Sequence, residues 1–101
     1  MRCITVLYPN SPGVRFDFDY YDKKHRTLIE ELYGKGIARY EIRRGVATPD
    51  GKPPTYLAVI TIWIGSQEAF DAAAARHSAT IIADVANFTN VLPLIQIDET
   101  L

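Results

Sequence analysis

The sequence is short of most features that announce a function. It has one cysteine, Cys3, so it can build neither an internal disulfide nor a multi-thiolate metal centre. Cys3 lies in an apolar stretch, as a small buried hydrophobe does, and the pattern fits a reducing cytoplasm. An excess of one charge is also lacking. Eleven Lys and Arg face twelve Asp and Glu, for a net charge of −1 and a pI near 6.1. No broad basic field exists to condense on nucleic acid or an anionic membrane. The longest apolar run, residues 56–64, is far below the roughly 20 residues of a bilayer span, and residues 3–8 are too few for a signal-peptide core. No Gly-x-Gly-x-x-Gly follows a strand, and there is neither a phosphate loop nor a Gly-x-Ser-x-Gly elbow. Two histidines without a carboxylate at ligand spacing make no zinc site, so no metal is expected.

What remains is an ordinary globular composition, 48% apolar and 23% charged over 101 residues, enough for a single domain spanning residues 1–101. Residues 3–8 are β-branched and read as a strand that stops at the turn-rich cluster 9–13. Asp17 can cap a helix that runs to about residue 33 and ends at Gly34. Phe18, Tyr21, Leu28, Ile29 and Leu32 form its apolar stripe. Residues 37–46 alternate Ala38, Tyr40 and Ile42 with Arg39, Glu41 and Arg43, as suits an edge strand with a solvated face. Residues 56–64 are apolar on both faces. Ser66 can cap a second helix, which Arg76-His77-Ser78 can interrupt, and residues 93–98 close as a strand.

The order β-α-β-β-α-β predicts an α+β fold, the ferredoxin-like sandwich: a four-stranded antiparallel sheet with two helices on one face. The other face is then bare in a single chain. Because the third strand is apolar on that side too, a second copy is its simplest cover, giving a homodimer with a barrel between the sheets.

Few residues can carry chemistry. His25 falls on the apolar stripe of the first helix, either as a core histidine with a fixed partner or as a pocket base whose burial lowers its pKa. Tyr21, one turn earlier, can bond it, and Asp84 can reach it from the second helix. His77 lies on or near the apolar side of the second helix, as a half-exposed histidine or a pocket residue. Tyr8, Tyr20, Tyr21, Trp63 and Phe88 either pack the core or shape a flat apolar pocket, with Asn87 among its few polar points. Asp84 and Asn87, one turn apart, either cap the second helix or face that pocket.

Tyr8-Pro9-Asn10, Pro12-Gly13, Phe16-Asp17-Phe18-Asp19-Tyr20-Tyr21, His25 and Leu28 together resemble the EthD-like family. So do residues 83–90, read Ala-Asp-Val-Ala-Asn-Phe-Thr-Asn, followed by Pro93 and Gln96-Ile97. The resemblance spans nearly the whole chain and implies a dimeric α+β barrel. It also implies kinship with small cofactor-independent oxygenases, isomerases and cyclases acting on hydrophobic or aromatic molecules. The family's helix-one histidine falls on His25, and Thr27 stands where the family usually has proline. The expected function is therefore an oxidoreductase-type enzyme without cofactor, with His25 catalytic and Tyr8, Tyr21, Trp63, His77, Asp84, Asn87 and Phe88 binding a hydrophobic small molecule. The alternative is a non-catalytic ligand-binding or accessory dimer. A third reading, haem handling, would use Asn10, Trp63 and His77.

Overall fold

Strands β1 (Arg2–Pro9) and β3 (Tyr56–Ile64) are rich in β-branched residues, and they occupy the two central places of the sheet. The order is β2-β3-β1-β4, antiparallel throughout, with β2 (Ile37–Arg44) and β4 (Leu94–Glu99) at the edges. The computed structural model describes residues 1–101, and its architecture is the expected ferredoxin-like sandwich. β2 stops two residues early. At Gly45 the chain closes on β3, where an added Cβ would lie 1.9 Å from the Tyr56 carbonyl oxygen.

Register assigns the two faces. Ile4 pairs with Ile62, Val6 with Ile60 and Tyr8 with Ala58, and these residues point toward the helices. Ala58 and Ile60 are fully buried there. The intervening residues, Cys3, Thr5 and Leu7 opposite Trp63, Thr61 and Val59, point the other way. Arg39, Glu41 and Arg43 pair with those same three β3 residues and so share their face.

The first helix is not uniform. Asp17 accepts a hydrogen bond from the Tyr20 amide and starts helix α1 (Phe18–Tyr20). A π-helical turn over Tyr21–His25 follows, then helix α2 (Arg26–Tyr33), ended by Gly34 at φ +49°. A π turn of this kind commonly marks a functional site, and no sequence pattern announced it here. The second helix, α3 (Gln67–Asp84), is capped by the Ser66 hydroxyl. It runs unbroken through Arg76, His77 and Ser78, contrary to the expected interruption. Ser78 is exposed, so water satisfies its hydroxyl and the alanines around it sustain the helix.

The start of the first helix is stitched to the far end of the chain. The Asp17 amide donates to the Phe88 carbonyl at 2.8 Å, and the Thr89 hydroxyl donates to the Arg15 carbonyl at 2.6 Å. Phe16, Phe18, Tyr21, Phe88 and Tyr8 form one aromatic cluster over this seam. α3 meets the end of the first helix at Gly36, where a Cβ would come within 2.8 Å of the Phe70 backbone. Gly36→Ala should therefore push α3 off the sheet and lower stability by about 1–3 kcal/mol. Urea unfolding checks this, and a variant as stable as the wild type would refute the close packing.

Candidate functional site

Between the helices and the sheet lies a cavity of about 420 Å3, within the usual range for small-molecule sites. Its floor is Ile4, Val6 and Tyr8 of β1 with Ile62 and Tyr40. Its sides are Tyr21, His25, Ile29 and Tyr33 from the first helix, and Phe70, Ile81 and Val85 from the second. No Asp, Glu, Lys or Arg lines it.

His25 is the residue with most chemical capacity here. Its Nδ1 lies 2.9 Å from Asp84 Oδ2 on the opposite helix. A carboxylate can only accept, so Nδ1 carries the proton and Nε2 carries the lone pair. Nε2 bonds no protein group, yet no fully buried side-chain nitrogen or oxygen lacks a partner. Nε2 therefore opens into the cavity. The ring itself is 3% exposed, packed on Phe88 at 4.6 Å and Tyr21 at 5.1 Å between centroids.

Burial lowers the His25 pKa below its ordinary value, and the Asp84 carboxylate offsets that only in part. For Asp84 the balance is reversed. Burial alone would raise its pKa, but hydrogen bonds from Tyr20, Asn87 and His25 outweigh it and hold the carboxyl below its ordinary value. The Tyr20 hydroxyl donates to Asp84 Oδ1 at 2.7 Å, and Asn87 Nδ2 donates to the same oxygen at 2.9 Å. The result is a neutral imidazole in one tautomer, oriented by an ionised carboxylate that is itself oriented by two donors.

Three phenols line the cavity with His25: Tyr8 and Tyr40 from the sheet, and Tyr21 beside it on the first helix. Tyr8 is 3% exposed and its hydroxyl has no protein partner, so it too opens inward. The Tyr21 and Tyr40 hydroxyls bond each other at 2.5 Å. Burial raises the pKa of all three, so they stay protonated and can donate.

The structure thus gathers Tyr8, Tyr21 and His25 around one cavity and places Asp84 and Asn87 behind it as supports. Phe88 is a packing surface for the His25 ring rather than a cavity wall. Trp63 is on the helix-free face of the sheet, under the Arg39 guanidinium at 4.6 Å. Its alternation on β3 sends it there, away from any ligand in the cavity. His77 lies at a separate shallow depression with Leu32 and Arg76. Asn10 donates from a loop to the Pro54 carbonyl. The three residues of the haem reading therefore occupy three different places and do not converge. No three His, Cys, Asp or Glu side chains are grouped to hold a metal. Tyr40, Ile29 and Tyr33 are lining residues that the sequence reading passed over. Tyr40 was recognisable as a phenol on the inward face of an edge strand.

Comparison with solved structures gives the same fold and a relationship. An EthD-like protein from Ralstonia eutropha superposes with a TM-score of 0.89 at 35% identity, over 97% of this chain and 89% of that one. An ethyl tert-butyl ether D (EthD) family protein from Bacillus halodurans gives 0.67 at 17% identity, over 100% and 99%. A DABB family protein with a ferredoxin-like fold from Mesorhizobium loti gives 0.58 at 13% identity, over 99% and 96%. The last two share the fold. A comparison with curated proteins finds no match. The EthD domain model aligns with residues 14–91, most of the sequence and both stitched ends of the site, and the chain belongs to the EthD domain family.

Proposed function

We propose that the protein is a small enzyme that removes a proton from an uncharged hydrophobic or aromatic molecule bound in the cavity. His25 Nε2 is the base, and the Tyr8 hydroxyl on the sheet opposite stabilises the oxyanion that forms. The observation that carries this reading is the Asp84–His25 pair: it fixes the proton on Nδ1 and leaves an unpaired Nε2 facing an apolar space. A neutral imidazole at pH 7 is the form a general base requires. The proton moves from a weakly acidic C–H or O–H of the substrate to Nε2, and the electron pair left behind moves onto the substrate's oxygen. Tyr8 can donate to that oxygen. Return of the proton to another atom gives an isomerisation, attack within the molecule gives a cyclisation, and loss of electrons to dioxygen gives an oxidation. All three begin with the same deprotonation, which joins the oxidoreductase reading to its isomerase and cyclase variants. Such a protein would work in the cytoplasm, where its one buried thiol stays reduced.

We also propose that it works as a homodimer through the helix-free face of the sheet. Leu7, Leu57, Val59 and Trp63 are half-buried there in a single chain, an apolar field that a second copy would cover. Arg39 and Arg43 both pair with Glu41, which leaves the β2 edge of that face with a single net positive charge, too little for nucleic acid and suited to an interface rim. No helix is long and apolar enough to cross a membrane.

2-Tetralone, an uncharged bicyclic ketone with acidic α-hydrogens, is a suitable probe. Wild-type protein should accelerate its exchange with D2O, followed by proton NMR, and the rate should rise with pH about a midpoint below the ordinary imidazole value of about 6.5. His25→Gln should lose about a hundredfold or more while still binding the ketone. Asp84→Asn should lose about 10- to 100-fold, because the amide NH2 facing Nδ1 reverses the tautomer and a charge-assisted bond is lost. Tyr8→Phe should lose about a hundredfold through the missing oxyanion donor. Binding without accelerated exchange in the wild type would contradict the enzyme reading and favour a ligand-binding accessory protein.

The depressed His25 pKa also acts on stability. Between the folded and the unfolded pKa, the unfolded chain binds the proton more readily, so this contribution falls as pH drops below about 6.5. Wild type should therefore lose more melting temperature between pH 7 and pH 5 than His25→Gln does; equal losses would refute the depressed pKa. For the dimer, sedimentation should show twice the 11.3 kDa chain mass. Val59→Asp should return the single-chain mass, since a buried unpaired charge costs about 3–5 kcal/mol. A wild type that sediments as one chain would refute the interface.

A further inference from the structure

The cavity is a slot with a direction. Along the first helix His25, Ile29 and Tyr33 face it at four-residue spacing, a span of about 12 Å. Along β1, Tyr8, Val6 and Ile4 face it at two-residue spacing, about 13 Å. The two stripes are of similar length and come together at Tyr8 and His25. Phe88 touches both Tyr8, at 5.9 Å, and His25, at 4.6 Å, while Tyr33 packs on Phe70 at 5.0 Å at the other end.

Polarity is unequal along and across this slot. The hydroxyls of Tyr8, Tyr21 and Tyr40 and the imidazole of His25 belong to buried residues. Beyond them only Tyr33 brings a polar side-chain atom to the lining. The helices leave the inner face of β4 bare, so the slot is open along that side. The lining residues that reach solvent there are Ile82, Leu92 and Ile95, 64–83% exposed. Ile97 continues the same face of β4 at 68%. No charged side chain lines the slot, so a charged group drawn into it would lose its hydration without a counter-charge.

We infer that the site takes an uncharged, elongated amphiphile. Its head is a phenol or an enolisable ketone seated against His25 and Tyr8. Its tail is a hydrocarbon chain that lies along β1 and leaves over Ile82, Leu92 and Ile95. The inference rests on the proposed function for which end the head occupies. The tail's path follows from the apolar floor and rim alone, and the exposed isoleucines of β4 are the rim's continuation.

A series of 4-alkylphenols from methyl to octyl, kept below micelle-forming concentrations, tests this by calorimetry at pH 7. Kd should tighten about three- to fourfold for each added methylene while the tail crosses the slot. Sodium alkanoates of equal length should bind at least a hundredfold more weakly. Ile95→Asp, at an exposed position that leaves the core intact, should cut the octyl-to-methyl affinity ratio at least tenfold with no change in sedimentation. Affinity that stops rising at ethyl, or alkanoates that bind as well as phenols, would overturn the inference. So would a change of oligomeric state in Ile95→Asp, since it would show that a second copy covers the rim. In His25→Gln the dependence on tail length should persist, so failure of the base reading in the exchange assay and failure of this series are separate results.

Discussion

The hydrogen bond between His25 and Asp84 is the constraint on which the site depends. It joins the first helix to the second across the top of the cavity, through atoms 59 positions apart in the chain. Each partner alone would be a liability. A buried imidazole loses hydration, and a partly buried carboxylate loses more. Together, with Tyr20 and Asn87 completing the carboxylate's bonds, they make a satisfied polar link in an otherwise apolar seam. The link orients one nitrogen toward the cavity and commits the other to the protein. That division of labour turns a packing histidine into a candidate base.

The surrounding fold supplies the geometry for this link. β1 and β3 give a flat floor, the Asp17 cap and the seam to Phe88 fix where the first helix begins, and Gly36 lets α3 approach closely. The π turn at Tyr21–His25 is the local departure that brings two buried aromatic residues, four apart, onto the cavity side. A wider turn places such residues closer to one line than an α turn does. Membership of the EthD domain family and the shared fold do not by themselves name a reaction, because one fold hosts many sites. The chemical argument rests on the residues around Nε2.

Much of this was legible in the sequence because it depends on periodicity. Alternation over residues 37–43 and the two-sided apolar run 56–64 read as strands, and the caps Asp17 and Ser66 marked helix starts that the structure keeps. His25 was recognisable as an imidazole on an apolar stripe. Other features depend on contacts between distant segments, which periodicity does not carry. Asp84 and Asn87 read equally well as capping residues until Tyr20 and His25 are seen beside them. Trp63 read as a pocket aromatic, but one-residue parity on β3 sends it to the opposite face. His77 shares a helix with Asp84 but faces a different depression, and Arg76-His77-Ser78 broke nothing because exposed polar residues are tolerated in an alanine-rich helix. Tyr40 was hidden by its charged neighbours, although alternation already turned it inward.

The account stands on one protonation state. Nitrogen-15 NMR of histidine-labelled protein reads it directly, through the shifts of the two ring nitrogens across a pH titration. The account predicts that at pH 7 His25 is neutral, with the proton on Nδ1 and an unprotonated Nε2, and that it titrates below the ordinary value near 6.5. A proton on Nε2 at pH 7, or a titration midpoint above 6.5, would contradict it.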